Sequence, residues 1–199
     1  MSYKSIPYSN KILLLFILLL ALGCGSNEDM VDNTNGDNQT TAKNNVLLII
    51  ADDLGLDATV GYNIGNQKPI MPTLQKLINS GIKFNNVWSN PVCTPTRGTI
   101  LTGKYGYRTS VLKVDDVLST SEISIFKNLK NNTNYNSAFI GKWHLSGKPS
   151  DRNHPNNMGI DYYAGILGGG VSDYFNWTLS KNGQNSNVNQ YITSVFTDE

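Results

Sequence analysis

The chain has 199 residues, a formal net charge of +1 from 16 basic and 15 acidic side chains, and 39% hydrophobic residues. So even a balance gives no basic field to draw nucleic acid and no acidic tail. With only two cysteines, a disulfide framework is excluded as the basis of the fold.

At the amino terminus Lys4 and Lys11 precede an apolar run over 12–22. The run is too short to cross a bilayer comfortably and is followed by Gly23-Cys24, so it is an export signal rather than a stable transmembrane helix. Cys24 resembles the lipid acceptor of bacterial lipoproteins, and Ser26-Asn27-Glu28-Asp29 resembles the acidic surface-export tag of some of them. The alternative is a plain signal peptide cut nearby. The expectation is a lipoprotein-type signal over 1–24, with a membrane anchor at Cys24 and export to the periplasm or cell surface. Residues 25–44 are polar, rich in Asn, Asp and Thr, and cannot bury a core, which predicts a flexible tether. A domain then occupies 45–199.

The run from Asn45 to Ala51 is continuously apolar, as in a strand covered on both faces of an α/β sheet, and it ends in Asp52-Asp53. Paired carboxylates at the carboxyl end of such a strand either start a turn with Gly55 or offer hard oxygens to Ca²⁺ or Mg²⁺. Pro72 to Gly81 predicts a helix with Leu74, Leu77 and Ile78 on one face. In Cys93-Thr94-Pro95-Thr96-Arg97, Pro95 favours a helix start and Gly103 a stop, placing Cys93 at a helix N-terminus where an anion is favoured. Arg97 brings a planar fork of donors suited to tetrahedral oxyanions; the plain alternative is a buried structural cysteine beside a surface arginine. Ser119-Thr120-Ser121-Glu122 has a capping-box pattern ahead of Ile123, Phe126 and Leu129. A second strand-like run, Tyr135 to Ile140, passes into Gly141-Lys142-Trp143-His144-Leu145. On an extended segment Lys142 and His144 point the same way, whether to a site or to solvent. Met158 to Tyr174, rich in glycine and aromatics, is read as loop or lid, and Gln190 to Glu199 as the first turns of a helix. Alternating strands and helices argue for a mainly parallel sheet flanked by helices.

Cys-Thr-Pro-Thr-Arg followed by Gly-Thr-Ile-Leu-Thr-Gly closely resembles the signature of the sulfatases, and Gly141-Lys142-Trp143-His144-Leu145 resembles their second signature. Asp52-Asp53 matches the family's first metal ligands. The resemblance implies an alkaline-phosphatase-like α/β fold, incomplete in this chain, and hydrolysis of sulfate esters. In that family the cysteine is oxidised to formylglycine by a maturation enzyme. Carried over residue by residue, Cys93 becomes the nucleophile, and Arg97 stabilises charge. Lys142 contacts the sulfate, and His144 holds the nucleophile's hydroxyls and moves protons. Asp52, Asp53 and the oxygen at position 93 bind Ca²⁺, with Mg²⁺ possible. The substrate class is a sulfated carbohydrate or aryl sulfate. The family's later metal and sulfate ligands are not in the sequence, so it reads as the amino-terminal part of a sulfatase, inactive alone. Phosphonate or phosphate monoester hydrolysis, or a non-catalytic glycan-binding surface lipoprotein, are the alternatives.

Overall fold

A computed structural model of the protein describes residues 44–199. The signal, Cys24 and nearly all of the tether lie outside the described residues. The chain divides after Leu48 into two units, and every helix and strand named below belongs to the second, Ile49–Glu199.

Among the described residues ten elements succeed one another in chain order: α1 Pro72–Ser80, α2 Cys93–Thr102, α3 Gly106–Thr109, α4 Ile125–Asn132, β1 Ala138–Lys142, α5 His154–Asn157, β2 Tyr162–Ile166, β3 Trp177–Lys181, β4 Gln184–Val188 and α6 Ile192–Asp198. The strands form one sheet in the order β1-β2-β3-β4. It is mixed rather than mainly parallel. Only β1 and β2 run parallel, joined by a crossover that contains α5; β2–β3 and β3–β4 are antiparallel. The reason lies in the connections. Asn182 and Gly183, with φ of 45° and 80°, make a tight turn between β3 and β4, and so short a link permits only an antiparallel hairpin.

Two hydrophobic clusters hold the sheet to its helices. In the first, Trp143, Leu145 and Tyr163 from the β1–β2 region pack with Leu101 of α2, Val111, Leu118, Met158 and Ile160. Trp143 and Tyr163 have no exposed surface, and each large side chain so buried contributes about 1.5–3 kcal/mol. In the second, Ala164, Ile166, Trp177 and Leu179 pack against Ile192 of α6, with Phe196 at the edge. This fixes the β3–β4 hairpin beside β2.

Several sequence expectations are corrected. The apolar run over 45–51 forms no strand, and Val46, Leu47, Leu48 and Ile49 are 84%, 85%, 58% and 72% exposed. A strand exists only through a partner ladder, and no described strand pairs with this segment. Helix α1 forms where expected, but no residue of it is buried and Leu77 is 56% exposed. Helix α4 starts later than the capping-box pattern suggests. Ser124 is its N-cap, its Oγ accepting the Lys127 N–H, while Ser119 closes a separate turn by accepting the Ser121 N–H. The first part of the expected loop at 158–174 contains strand β2, whose side chains are almost all buried.

Candidate active site

Cys93 is the first residue of α2, behind Val92 in extended conformation (φ −134°), and no side chain caps this end. Gly103 stops the helix at φ 66°, in the left-handed region, its N–H bonded to the Thr99 carbonyl at 2.8 Å. An uncapped helix N-terminus presents amide dipoles to an anion.

The carboxyl end of β1 supplies the facing groups. The β1–β2 ladder continues past Lys142, as the Trp143 and His144 N–H groups donate to Ile166 O (2.9 Å) and Leu167 O (3.1 Å). At His144 the backbone turns to φ 58°, so Lys142 and His144 do not share the extended geometry expected of them. A non-glycine residue at positive φ is strained and persists where its surroundings hold it. Here the imidazole is held from both sides. Its Nδ1 lies 3.2 Å from Cys93 Sγ, and its Nε2 lies 2.9 Å from Asp115 Oδ1.

Asp115 is absent from the sequence expectations. It also sits at positive φ (65°) and carries Lys148 Nζ on its other oxygen at 2.7 Å, and its backbone N–H donates to Thr94 Oγ1 in the first turn of α2. The bond from Lys148, then that from His144, hold its carboxyl below the usual range. An ionised carboxylate only accepts, so His144 donates through Nε2–H, and Nδ1 is the atom left for proton exchange with position 93.

A second cluster joins the motifs to one another. Arg97 is only 6% exposed; its guanidinium donates to the Lys142 carbonyl and, at 3.2 Å, to Asp52 Oδ1. Lys142 Nζ meets the other Asp52 oxygen at 2.6 Å. Burial pushes the Asp52 carboxyl up, but the bonds from Lys142 and Arg97 outweigh it and the net shift is downward. Arg97 Nε is buried without a partner. The structure therefore brings Cys93, His144, Arg97, Lys142 and Asp52 together and adds Asp115. Asp53, exposed and at φ 56°, is not drawn into the cluster.

These residues do not by themselves make a cation site. Among the described residues no three His, Cys, Asp or Glu side chains converge as ligands, and both Asp52 oxygens are engaged by cationic side chains. Ca²⁺ takes about six to eight oxygens.

A nucleophile candidate at a helix N-terminus, a histidine oriented by a carboxylate and a cationic pair at the end of a sheet strand define a hydrolase-like site on an α/β scaffold. The protein-family model for sulfatases matches residues 44–199, and the chain belongs to the sulfatase family. It is similar to the steryl-sulfatase of Homo sapiens, at 31% identity over 146 residues, which are 65% of this chain and 24% of that protein. It is also 32% identical to the ulvan-active sulfatase of Formosa agariphila over 172 residues, 82% of this chain and 32% of the relative. Among solved structures, BT4656 in complex with its substrate D-glucosamine-2-N,6-O-disulfate matches with a TM-score of 0.61 and 27% identity, over 74% of this chain and 28% of that one. The fold is thus the family's alkaline-phosphatase-like α/β fold, seen in part. The chain spans about a quarter to a third of the length of these relatives.

Proposed function

We propose that these residues carry the nucleophile region of an enzyme that hydrolyses sulfate esters, through formylglycine made from Cys93 by a maturation enzyme. The observation that carries this reading is the 3.2 Å approach of His144 Nδ1 to Cys93 Sγ at the start of α2. As formylglycine, position 93 would supply a hydrated aldehyde: one hydroxyl would attack sulfur as the S–O ester bond breaks and the alcohol leaves, and loss of the proton from the other would re-form the carbonyl and expel sulfate. The remaining steps belong to the protein's side chains. His144 takes and returns the proton through Nδ1 while Asp115 fixes Nε2–H. Lys142 places positive charge against the sulfate oxygens, steadied by Asp52. Arg97, bonded to both the Lys142 carbonyl and Asp52, braces this pair, and the α2 N-terminus favours the developing anion.

The proposed substrate class is a sulfated carbohydrate. The named substrate of BT4656 and the ulvan activity in the name of the Formosa agariphila relative support it. For Ca²⁺ or Mg²⁺, the proposed donors are Asp52, Asp53 and the oxygen at position 93. They fall short of a full shell, so calorimetry on the 199-residue chain should detect no tight Ca²⁺ binding. We further propose an exported lipoprotein anchored at Cys24; labelled fatty acid should enter the protein, and Cys24→Ala should block it.

The activity test compares an aryl sulfate with an aryl phosphate, using full-length protein co-expressed with a maturation enzyme. Preferred turnover of the sulfate supports the proposal. Preference for the phosphate would reassign the site to phosphate monoesters, and turnover of neither, with sulfated glycans still bound, would favour a binding lipoprotein.

A further inference from the structure

A cleft of about 500 Å³ opens between the loop after β2, which lines it through Gly168 and Gly170, and one face of the β3–β4 hairpin. Its volume lies in the usual range for small-molecule sites. The hairpin register gives the face its polar groups: Thr178 stands opposite Asn187 and Ser180 opposite Asn185, while Leu179 on the other face belongs to the second hydrophobic cluster and Trp177, of the same cluster, also lines the cleft at its apolar side. Ser180 is 2% exposed, yet its Oγ has no hydrogen-bond partner. A buried hydroxyl left unpaired costs about 1–3 kcal/mol, so the cleft holds an unmet demand for a polar group.

The glycine loop ties this cleft to the chemistry. A Cβ at Gly169 would stand 2.7 Å from Cε1 of His144, whereas at Gly168 and Gly170 it would meet nothing within 4 Å. The loop therefore touches the imidazole at one residue and leaves open space on either side. The two residues that flank this contact, Gly168 and Gly170, line the cleft.

We propose that this cleft is a sugar subsite, in which Thr178, Ser180, Asn185 and Asn187 bind hydroxyl groups of the pyranose carrying the sulfate ester or of its neighbour. The inference rests on the sulfated-carbohydrate reading above. Hydroxyls and carboxamides both donate and accept, as sugar hydroxyls do. Among the described residues no charged side chain lines the cleft, and its polar groups are neutral.

The test uses matured full-length protein with 6-sulfated glucosamine, 6-sulfated galactose, 4-sulfated N-acetylgalactosamine and, as a sugar-free probe, 4-nitrophenyl sulfate. For Asn185→Ala/Asn187→Ala and for Ser180→Ala, the ratio of kcat/KM on the best sugar sulfate to that on the aryl sulfate should fall at least tenfold. Ser180→Ala should also keep or raise the Tm without sugar, since it removes an unpaired buried hydroxyl. An unchanged ratio in both variants would overturn the subsite, as would a Tm loss with equal loss on both substrates. If the parent protein turns over no sulfate ester, the sulfatase reading fails and the subsite is judged by calorimetry with the same three sugars. Binding that the double variant weakens tenfold would uphold it; no binding to the parent protein would overturn it.

Discussion

At the level of single residues, the site is a set of hydrogen bonds that fix which atom does what. Asp115 is the clearest case, because it touches neither the nucleophile nor a sulfate position and acts only through His144. Asp115→Ala should lower kcat by about 10- to 100-fold, the usual loss when an outer partner of an active-site histidine is removed. A kcat within about twofold of the parent would show that the contact is only structural. Arg97→Lys tests the brace. One ammonium cannot reproduce a planar fork that reaches both Lys142 O and Asp52, so activity should fall by at least tenfold although the charge is kept. Cys93, Arg97, Lys142 and His144 are legible in the sequence because signature residues sit at fixed offsets along one helix and one strand end. Asp115 is not. Its only local sign is an acidic pair, Asp115-Asp116, in an unremarkable loop, and nothing there announces a partner 29 residues away.

Among the elements, helix α2 is readable because Pro95 lies in its first turn and Gly103 stops it, whereas strand β1, expected over Tyr135 to Ile140, forms at Ala138–Lys142 and runs through Gly141. The sequence expectations omit the β3–β4 hairpin, although Asn182-Gly183 between two strand-like runs is the strongest short-range hairpin signal. The segment from Met158 reads as loop because its glycines and aromatics hide the buried strand β2. Where β2 ends, the glycine loop governs the site. Gly169→Ala should push the His144 ring out of line with Cys93 and cut kcat by at least tenfold, while the Tm changes little because residue 169 is exposed. Retained kcat would mean that the loop yields instead of the imidazole.

For the molecule as a whole, stability should depend on pH through a histidine remote from catalysis. His154 is buried at 2% exposure, accepts the Trp143 indole N–H on Nδ1 at 3.1 Å and donates from Nε2 to Leu118 O at 2.7 Å. Burial, which disfavours the charged imidazolium, lowers its pKa from the ordinary 6.5, and the bond to Leu118 O offsets this only in part. A depressed histidine pKa means the unfolded chain binds the proton first. Its contribution is therefore complete above about 6.5 and lost as pH falls through the folded-state value. The Tm should drop between about pH 7 and 5, and His154→Gln, which removes the titrating group while its amide keeps a donor for Leu118 O, should flatten that drop. An equally steep drop in the variant would contradict the assignment. The exposed run at 46–49 departs from its expected strand because a covered strand and an uncovered apolar segment have the same sequence; only a partner ladder separates them.

The chemistry turns on whether position 93 works as an aldehyde hydrate or as an ordinary nucleophile, and intact-mass analysis of Cys93→Ser during incubation with an aryl sulfate separates the two. An unconverted serine has one hydroxyl, so it can accept sulfate but cannot release it by re-forming a carbonyl. With His144 and Asp115 intact, a single sulfate adduct on the substituted side chain should accumulate to one equivalent and stay. Multiple turnovers by the unmodified serine variant, with no lasting adduct, would contradict the aldehyde mechanism and make direct alkoxide chemistry at the α2 N-terminus the better description.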